Sequence, residues 1–291
     1  MLVLSGCGPT DAELYPEKAK EKSAETVEPE QKVEEKNPLE SDKYILADDN
    51  FSNLQIEEFD KPVYDRYGIW ERQAKGLTMA MPKLVPYEKE SIAYLTFDDG
   101  PDDKVTPQIL DTLKQENVKA TFFFLGNAVE KYPDVLKRAF EEGHQIANHS
   151  YNHNYRQLYS SPWNFIEQFI HTDEIIRSQI GVRPLVIRAP GGVAGVFNDN
   201  YWNMVESMGY VEFDWNISTD DATPSRPNAS QQINNVLNQM GSQPPKTLLI
   251  LMHSTEAKTE TAKALPELIH LLRDWGYKFG VVTPMTPQLW E

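Results

Sequence analysis

The sequence predicts an α/β fold built on a parallel sheet, either a barrel or a doubly wound sheet. From Ser91 onward, short apolar runs typical of buried strands alternate with longer runs typical of helices. Such alternation places a helix between successive strands that run in the same direction. The strand candidates are Ile92–Phe97, Ala120–Leu125, His144–Asn148, Leu185–Arg188, Tyr210–Ile217, Thr247–Met252 and Tyr277–Val282.

Capping residues mark where several of the predicted helices begin and end. Thr106 followed by Pro107 is typical of an N-cap with proline at the first helical position. Ser161 followed by Pro162 repeats this pattern, and the helix that it opens is predicted to end at Gly181. These signals fall between strand candidates and therefore support the alternation.

The composition of the 291-residue chain excludes some classes of partner. Its formal net charge of −16 repels phosphate backbones, so we expect no nucleic-acid partner. The one cysteine, Cys7, excludes a disulfide within the chain. No apolar stretch approaches the roughly 18 to 20 residues of a membrane-spanning helix. Contact with a membrane is therefore expected only through a lipid anchor.

The first 90 residues are predicted to form three segments before a catalytic domain at 91–291. Residues 1–7 end in Leu4-Ser5-Gly6-Cys7, which resembles a bacterial lipobox, so we expect a truncated signal peptide and a lipid on Cys7. Residues 8–43 are rich in Glu, Lys, Pro and Ser, which predicts a disordered spacer. Residues 44–90 regain aromatic side chains and are predicted to pack on the catalytic domain as an N-terminal extension.

Ionisable residues follow the predicted strands at five separate places. In chain order they are Asp98 and Asp99, His149 and His153, Arg188, Asp220 and Asp221, and His253. The carboxyl ends of parallel strands share one face in α/β folds, and that face holds the active site. Charged residues that only cover the surface would not follow predicted strands at five separate places. The pattern therefore predicts an enzyme.

Three of these residues are typical ligands of a divalent metal ion. His149 and His153 are four residues apart, so on a helical turn both imidazoles would face one side. Such a pair also occurs on solvated helices, but a strand-end aspartate favours a metal site that leaves positions for water and substrate. Asp98-Asp99 could supply one ligand and one proton acceptor, or form an ordinary Asp-Asp-Gly-Pro turn. The remaining histidines, His144, His171 and His270, are predicted to be packing or surface groups.

Four motifs together resemble those of the polysaccharide deacetylase family, also called the NodB-homology or carbohydrate esterase family 4 domain. They are Thr96–Pro101, His149–His153, Arg188–Gly192 and Leu251–His253, within a match from about Ser91 to Val282. The resemblance implies a distorted (β/α) barrel with about seven parallel strands. It also implies one divalent metal ion, with Zn²⁺ expected and Co²⁺ or another divalent ion as alternatives.

The resemblance assigns the central chemistry to five residues. Asp99, His149 and His153 would be the metal ligands. Asp98 would be the general base, and His253 would be the general acid that protonates the leaving amine. Amide hydrolysis needs an activated water, a polarised carbonyl and a proton for the departing nitrogen, which these groups would supply.

Supporting roles follow from the same resemblance, with one departure from the family pattern. Arg188 would hold the Asp98 carboxylate in position, Asp221 would orient the catalytic histidine, and the backbone N–H of Gly191 would help to stabilise the oxyanion. The family often has an Asp-Trp pair where this chain has Asp221 and Ala222. Trp215 is predicted to be a barrel residue rather than a substitute for that tryptophan.

These predictions describe an extracytoplasmic enzyme, anchored by lipid to the outer face of the cell membrane, that acts as a monomer. It would remove N-acetyl groups from an amino-sugar polymer, either peptidoglycan or a chitin-like glycan, and release acetate. One alternative is a metal-dependent hydrolase of another C–N or ester bond, such as O-acetyl xylan or a cyclic amide. The other is a non-catalytic glycan-binding lipoprotein.

Overall fold

The structure is a computed structural model that describes residues 42–289, with eleven strands and nine α-helices in that range. The strands are β1 (Ile45–Ala47), β2 (Val63–Asp65), β3 (Ile92–Asp98), β4 (Thr121–Phe124), β5 (Gln145–Asn148), β6 (Arg183–Pro184), β7 (Val186–Ile187), β8 (Val211–Glu212), β9 (Ile217–Ser218), β10 (Thr247–His253) and β11 (Lys278–Gly280). The helices are α1 (Ile69–Ala74), α2 (Val105–Glu116), α3 (Gly126–Lys131), α4 (Pro133–Glu141), α5 (Tyr155–Leu158), α6 (Pro162–Ile180), α7 (Asp199–Ser207), α8 (Ala229–Met240) and α9 (Thr259–Asp274). The Cys7 lipobox and all but the last two residues of the predicted spacer (8–43) lie outside the described residues.

A curled parallel sheet forms the centre of the fold. Its strands lie in the order β8-β7-β5-β4-β3-β10-β9, and β11 adds beside the first half of β3. Along the central pair, Ile92 of β3 lies opposite Thr247 of β10, and Asp98 lies opposite His253. The path curls into a half-barrel with β8 and β9 at its two ends, which confirms the predicted distorted (β/α) barrel with about seven parallel strands.

The predicted strand Tyr210–Ile217 is wrong, because this segment forms two short strands with an irregular stretch between them. β8 ends at Glu212 and β9 begins at Ile217. In between, the carbonyl oxygens of Phe213 and Asp214 accept hydrogen bonds from the Arg188 guanidinium, at 2.8 and 3.1 Å. These two carbonyl groups therefore bind the buried Arg188 guanidinium and do not take part in strand pairing.

Helix starts agree with the sequence at one position and differ at another. Ser161 caps α6 through its side chain, and Gly181 follows its last residue in the left-handed conformation, as predicted. The predicted cap at Thr106 is wrong because α2 begins at Val105. The Asp102 carboxylate accepts the N–H groups of Val105 and Thr106, each at 2.8 Å, and therefore does the capping.

The main hydrophobic core lies between the sheet and helices α2, α8 and α9. Phe97 of β3 and Phe122 of β4 are fully buried with their rings stacked at 5.2 Å between centroids. Ile109 of α2 and Leu265 of α9 are also fully buried in this cluster. Burial of such a side chain contributes about 1.5–3 kcal/mol, so the core fixes the sheet whose carboxyl edge carries the polar residues.

The segment 44–90, predicted to be an N-terminal extension, contacts the rest of the described chain through buried polar groups. β2 pairs with β1 on one side and with β6 on the other in a small separate sheet. The buried Asp65 carboxylate of β2 accepts hydrogen bonds from Arg72, at 2.7 Å, and from Arg183, at 2.9 Å. The Tyr64 hydroxyl donates to the carbonyl of His144, at 3.0 Å, just before β5. Among residues 42–289, no helix is both long and apolar enough to cross a membrane.

Candidate active site

The carboxyl ends of β3, β5 and β10 bring the predicted metal ligands and proton-transfer groups together. Asp99, His149 and His153 offer ligand atoms that all lie within 4.8 Å of one another. Asp98 Oδ2 lies 3.7 Å from His149 Nε2, and His253 Nε2 lies 4.0 Å from Asp99 Oδ2. Residues far apart in the sequence therefore form one polar cluster.

Asp99 has an unpartnered carboxylate oxygen directed at both histidines. Its Oδ1 lies 3.7 Å from His149 Nε2 and 3.7 Å from His153 Nε2. This atom is buried and accepts no hydrogen bond from the described residues. A buried acceptor without a partner is costly. A cation between the three side chains would remove that cost, so the donor set fits a divalent metal ion.

The loop that carries His149 and His153 is not the helical turn that their spacing predicts, so that expectation is wrong. Residues 149–153 are irregular, with φ of +73° at Ser150 and +56° at His153. The N–H of the His149 Nδ1 atom donates to the carbonyl of Arg188, at 2.9 Å, which leaves Nε2 free to face Asp99. Burial lowers the pKa of His149 to about 3, so its imidazole is neutral, as a metal ligand must be.

Arg188 holds the Asp98 carboxylate beside this cluster. Its guanidinium donates to Asp98 Oδ1 and to the Thr96 hydroxyl, each at 2.8 Å. Asp98 is only 2% exposed, and burial raises its pKa although the charge of Arg188 opposes that shift. The Asp98 carboxylate therefore lies between the Arg188 guanidinium and the His149 imidazole.

His253 and Asp221 form a second fixed pair. The imidazole Nδ1–H donates to Asp221 Oδ1, at 2.7 Å, and the backbone N–H of His253 donates to Oδ2, at 2.9 Å. Burial alone would lower the pKa of His253, but the hydrogen bond to Asp221 and the nearby carboxylate charges outweigh burial and raise it. Burial would raise the pKa of Asp221, but its hydrogen bonds and charge contacts lower it. The pair thus favours an imidazolium facing a carboxylate.

Gly191 lies in the left-handed conformation, with φ of +76°, in the loop after β7. Its backbone N–H makes no hydrogen bond within residues 42–289, so it is free to bind a substrate oxygen. A Cβ at this position would lie 2.8 Å from the Tyr155 hydroxyl and 2.9 Å from its ring, so Tyr155 packs directly over the glycine. The Tyr159 hydroxyl donates to the carbonyl of Pro190, at 2.6 Å. Sequence reasoning missed both tyrosines, although they follow His153 by two and six residues.

Two further carboxyl groups support this loop and were also missed. Glu212 Oε1 accepts the N–H of Ala189, at 3.2 Å, and Asp214 Oδ2 accepts the N–H of Val193, at 3.1 Å. Their remaining buried oxygens have no other hydrogen-bond partner in the described chain. Burial and the neighbouring Asp214 charge raise the pKa of Glu212 well above its ordinary value. One proton shared between the two carboxyls would satisfy both free oxygens.

The geometry agrees with comparisons to known proteins. The sequence profile of the family described as polysaccharide deacetylase matches residues 86–213. A peptidoglycan-N-acetylglucosamine deacetylase of Bacillus cereus is 35% identical over 213 residues, which cover 72% of this chain and 76% of that protein. The chain belongs to the polysaccharide deacetylase family. It is therefore a polysaccharide deacetylase enzyme.

Solved structures of deacetylases share this fold. A Streptococcus mutans CE4 esterase superposes with a TM-score of 0.64 at 29% identity, covering 73% of this chain and 95% of that one. The catalytic domain of a peptidoglycan N-acetylglucosamine deacetylase from Eubacterium rectale gives a TM-score of 0.62 at 31% identity, covering 74% and 96%. The half-barrel of this polysaccharide deacetylase is thus the fold of both proteins.

Proposed function

We propose that this polysaccharide deacetylase is a metal-dependent enzyme that hydrolyses N-acetyl groups on an amino-sugar polymer and releases acetate. The observation that carries the proposal is that two hydrogen-bonded pairs, Asp98 with Arg188 and His253 with Asp221, lie beside one cluster of potential metal ligands. Asp98, held by Arg188, lies 3.7 Å from His149. His253, held by Asp221, lies 4.0 Å from Asp99. This arrangement supplies a proton acceptor and a proton donor to one reacting centre.

Asp99, His149 and His153 would hold the metal ion. The unpartnered Asp99 Oδ1 and the neutral His149 support this assignment. Two imidazoles and one carboxylate suit Zn²⁺, and Co²⁺ or another divalent ion would also fit. When bound, the ion would polarise the acetyl carbonyl and make the attacking water more acidic.

Asp98 would accept a proton from the attacking water. The Arg188 guanidinium and the Thr96 hydroxyl that it binds restrict this carboxylate to one position. A fixed base loses little entropy when it meets the substrate, and such positioning contributes to rate. Arg188 would therefore act as a positioning residue, through Asp98.

His253 would donate a proton to the departing sugar nitrogen. An amide anion is a very poor leaving group, so the C–N bond breaks only if the nitrogen is protonated. The Asp221 carboxylate orients the ring through Nδ1 and favours the imidazolium. Its Nε2 faces the cluster and is the atom placed to give up the proton.

The Gly191 N–H would donate to the acetyl oxygen as negative charge develops on it. Its lack of a partner within the described chain supports this role, because a preorganised donor costs no rearrangement during the reaction. Acetate would leave from this side of the centre, and the sugar would retain a free amine that carries positive charge at neutral pH.

Peptidoglycan is the substrate that we propose, with a chitin-like glycan as the alternative. Both relatives named as peptidoglycan N-acetylglucosamine deacetylases support an N-acetylated wall glycan. Such a substrate places the enzyme outside the cytoplasm. We expect it to act there as a monomer, held to the outer face of the cell membrane by a lipid on Cys7.

The anchor can be tested independently of catalysis. Cys7 lies in the lipobox-like Leu4–Cys7, outside the described residues. Fractionation of cells that express the protein from its own gene should find it with the membrane. Cys7→Ala should move it to the soluble fraction, and equally firm membrane association of this variant would disprove the lipid anchor.

Acetate release tests the proposed reaction. The metal-loaded protein should release acetate from peptidoglycan and from chitin oligomers, and a chelator should abolish release until a divalent ion is restored. Activity that survives complete metal removal would disprove metal dependence. Acetate release from O-acetyl xylan alone would instead identify an esterase. A protein that binds glycan but releases no acetate would be the non-catalytic alternative.

A further inference from the structure

A cavity of about 490 Å³ lies next to the loop that carries the two metal-ligating histidines. It is bounded by α1 of the extension, by one face of α6 and by Tyr151. None of the proposed catalytic groups or metal ligands lines it. Tyr151 stands between His149 and His153 in the sequence, so the cavity adjoins the active-site loop without belonging to the active site.

The walls of this cavity are aromatic and open to solvent. Trp70 of α1 is 47% exposed and Trp163 of α6 is 45% exposed. They are two of the five large apolar side chains that are exposed among the described residues. Neither indole N–H has a hydrogen-bond partner within residues 42–289, and the Tyr151 ring packs on His171 at 4.8 Å between centroids. Exposed tryptophans with free N–H groups are typical of surfaces that bind a ligand.

Two acidic side chains line the cavity, in addition to the indole N–H groups and His171. Glu167 and Glu174 of α6 form no ion pair or hydrogen bond in the described part of the chain. The Gln168 side-chain oxygen is buried and also lacks a partner there. No lysine or arginine lines the cavity. The cavity therefore combines π faces and carboxylates, and both attract a cation.

We propose that this cavity is a secondary binding site for deacetylated, ammonium-bearing sugars of the glycan, an inference that rests on the proposed function. Deacetylation converts a neutral N-acetyl sugar into a cationic amino sugar. Its ring would pack on Trp70 or Trp163, and its ammonium group would lie near Glu167 or Glu174. Because Tyr151 belongs to both the cavity and the active-site loop, the enzyme would be retained on a partly deacetylated strand through a segment that it has already processed.

Glucosamine oligomers test the site directly, because they carry the amine and have no acetyl group to hydrolyse. Calorimetric titration of the full-length, metal-loaded protein should detect binding that weakens with added salt. Trp163→Ala and Trp70→Ala should each weaken it by roughly threefold to thirtyfold. Glu167→Gln should weaken it and reduce its salt dependence. Trp275→Ala is the matched control, because Trp275 is equally exposed at 47% and lies outside the cavity.

Several outcomes would overturn the assignment. If the parent, Trp163→Ala and Trp70→Ala bind glucosamine oligomers with equal affinity, the cavity is not the binding site. N-acetylglucosamine oligomers, titrated into Asp98→Asn so that they are not consumed, should bind the cavity more weakly; equal or tighter binding there would contradict the amine preference. A sugar-free stem peptide that binds in a Trp163-dependent manner, or a dimer that Trp163→Ala dissociates in sedimentation, would assign the cavity to another partner.

Acetate release from a short N-acetylated oligomer separates this inference from the proposed function. The rate should be unchanged in Trp70→Ala and Trp163→Ala, and thermal unfolding should verify that both variants fold. If the parent releases acetate but the variants bind glucosamine oligomers as the parent does, only the secondary site is refuted. If the parent releases no acetate under any metal condition, the proposed function fails irrespective of the binding results.

Discussion

The proton-transfer pairs and the proposed metal cluster differ in how complete they are. Asp98 and His253 each have a hydrogen-bonded partner in place, Arg188 at 2.8 Å and Asp221 at 2.7 Å. In the cluster, the buried Asp99 Oδ1 faces two histidine nitrogens at 3.7 Å and has no hydrogen-bond partner among the described residues. The chain therefore positions the proposed acid and base by itself, whereas the proposed ligand cluster leaves a buried acceptor that a cation would satisfy.

The backbone shows the same difference. Asp98 and His253 are the last residues of β3 and β10, at the same level of adjacent strands, so regular sheet geometry positions them. Asp99 and His153 have φ of +71° and +56°, which is unfavourable for residues other than glycine. A metal ion that binds both would offset this local strain, and its removal should affect the cluster more than the pairs.

The largest effect is expected from removal of a ligand. His149→Ala should abolish stoichiometric binding of a divalent ion and nearly all acetate release, because one carboxylate and one imidazole hold an ion weakly. Metal content per protein after dialysis and acetate release measure the two effects. His270→Ala is the matched control, since His270 is exposed and pairs with Glu116 on the surface. Full metal occupancy in His149→Ala would refute the ligand assignment.

The next largest effects should separate the roles of acid and base. His253→Ala should slow hydrolysis of an N-acetyl amide by roughly 10²- to 10⁴-fold, but should affect an activated ester much less, because that leaving group needs no proton. Asp98→Asn should impair both substrates, since both need the activated water. Neither variant should lose the metal. Equal slowing of amide and ester by His253→Ala would show that His253 is not the leaving-group acid.

The pH dependence of the parent should follow from these roles. The acid must be protonated, and its carboxylate neighbours raise the pKa of His253, so activity should persist above the ordinary histidine range and fall as pH rises through the raised value. The base must be ionised, which gives the acidic limb of a bell-shaped profile. His253→Ala should remove the alkaline limb, and its persistence would assign that limb to another group.

The sequence predicts the sheet and the residues at strand ends because both follow from local patterns. Ile92–Phe97 is a continuous apolar run, and Asp98 and Asp99 directly follow it, so burial and position are readable without the fold. The backbone conformation between His149 and His153 could not be predicted from the sequence in this way. Spacing of four suggests a helical turn, but the left-handed residues of the loop are selected by tertiary contacts, including the hydrogen bond from His149 to the Arg188 carbonyl.

The missed residues belong to contacts between distant segments. Tyr155 looks like an ordinary aromatic residue in the sequence, and only the fold places its ring over Gly191. Glu212 lies within an apolar run, where a buried glutamate is unexpected, and this was a signal that could have been used. Substitutions at Tyr155 and Glu212 test how these contacts support the loop that carries Gly191.

A smaller effect on activity is expected at Tyr155. Tyr155→Ala should lower acetate release by about tenfold, because the uncovered Gly191 loop would hold its N–H less firmly, and loss of a whole oxyanion donor costs roughly 10²- to 10³-fold. Tyr155→Phe retains the ring and should stay within about threefold of the parent. The effect of Tyr155→Ala should appear in kcat for both amide and ester substrates. A loss confined to KM would indicate a sugar-binding role instead.

The smallest effect is expected on stability, at Glu212, whose raised pKa reflects burial and the adjacent Asp214 charge. Above its ordinary pKa of about 4.5, the unfolded state loses a proton that the folded state keeps, so the free energy of unfolding falls as pH rises toward the folded value. This contribution is at most about 1.4 kcal/mol per pH unit.

Glu212→Gln can still accept from Ala189 and can donate to Asp214, and it has no proton to lose. Urea unfolding from about pH 5 to about pH 8, with metal removed, should show the parent losing stability relative to Glu212→Gln. The exposed Glu206→Gln should follow the parent, and parallel curves for the parent and Glu212→Gln would show that Glu212 ionises without cost.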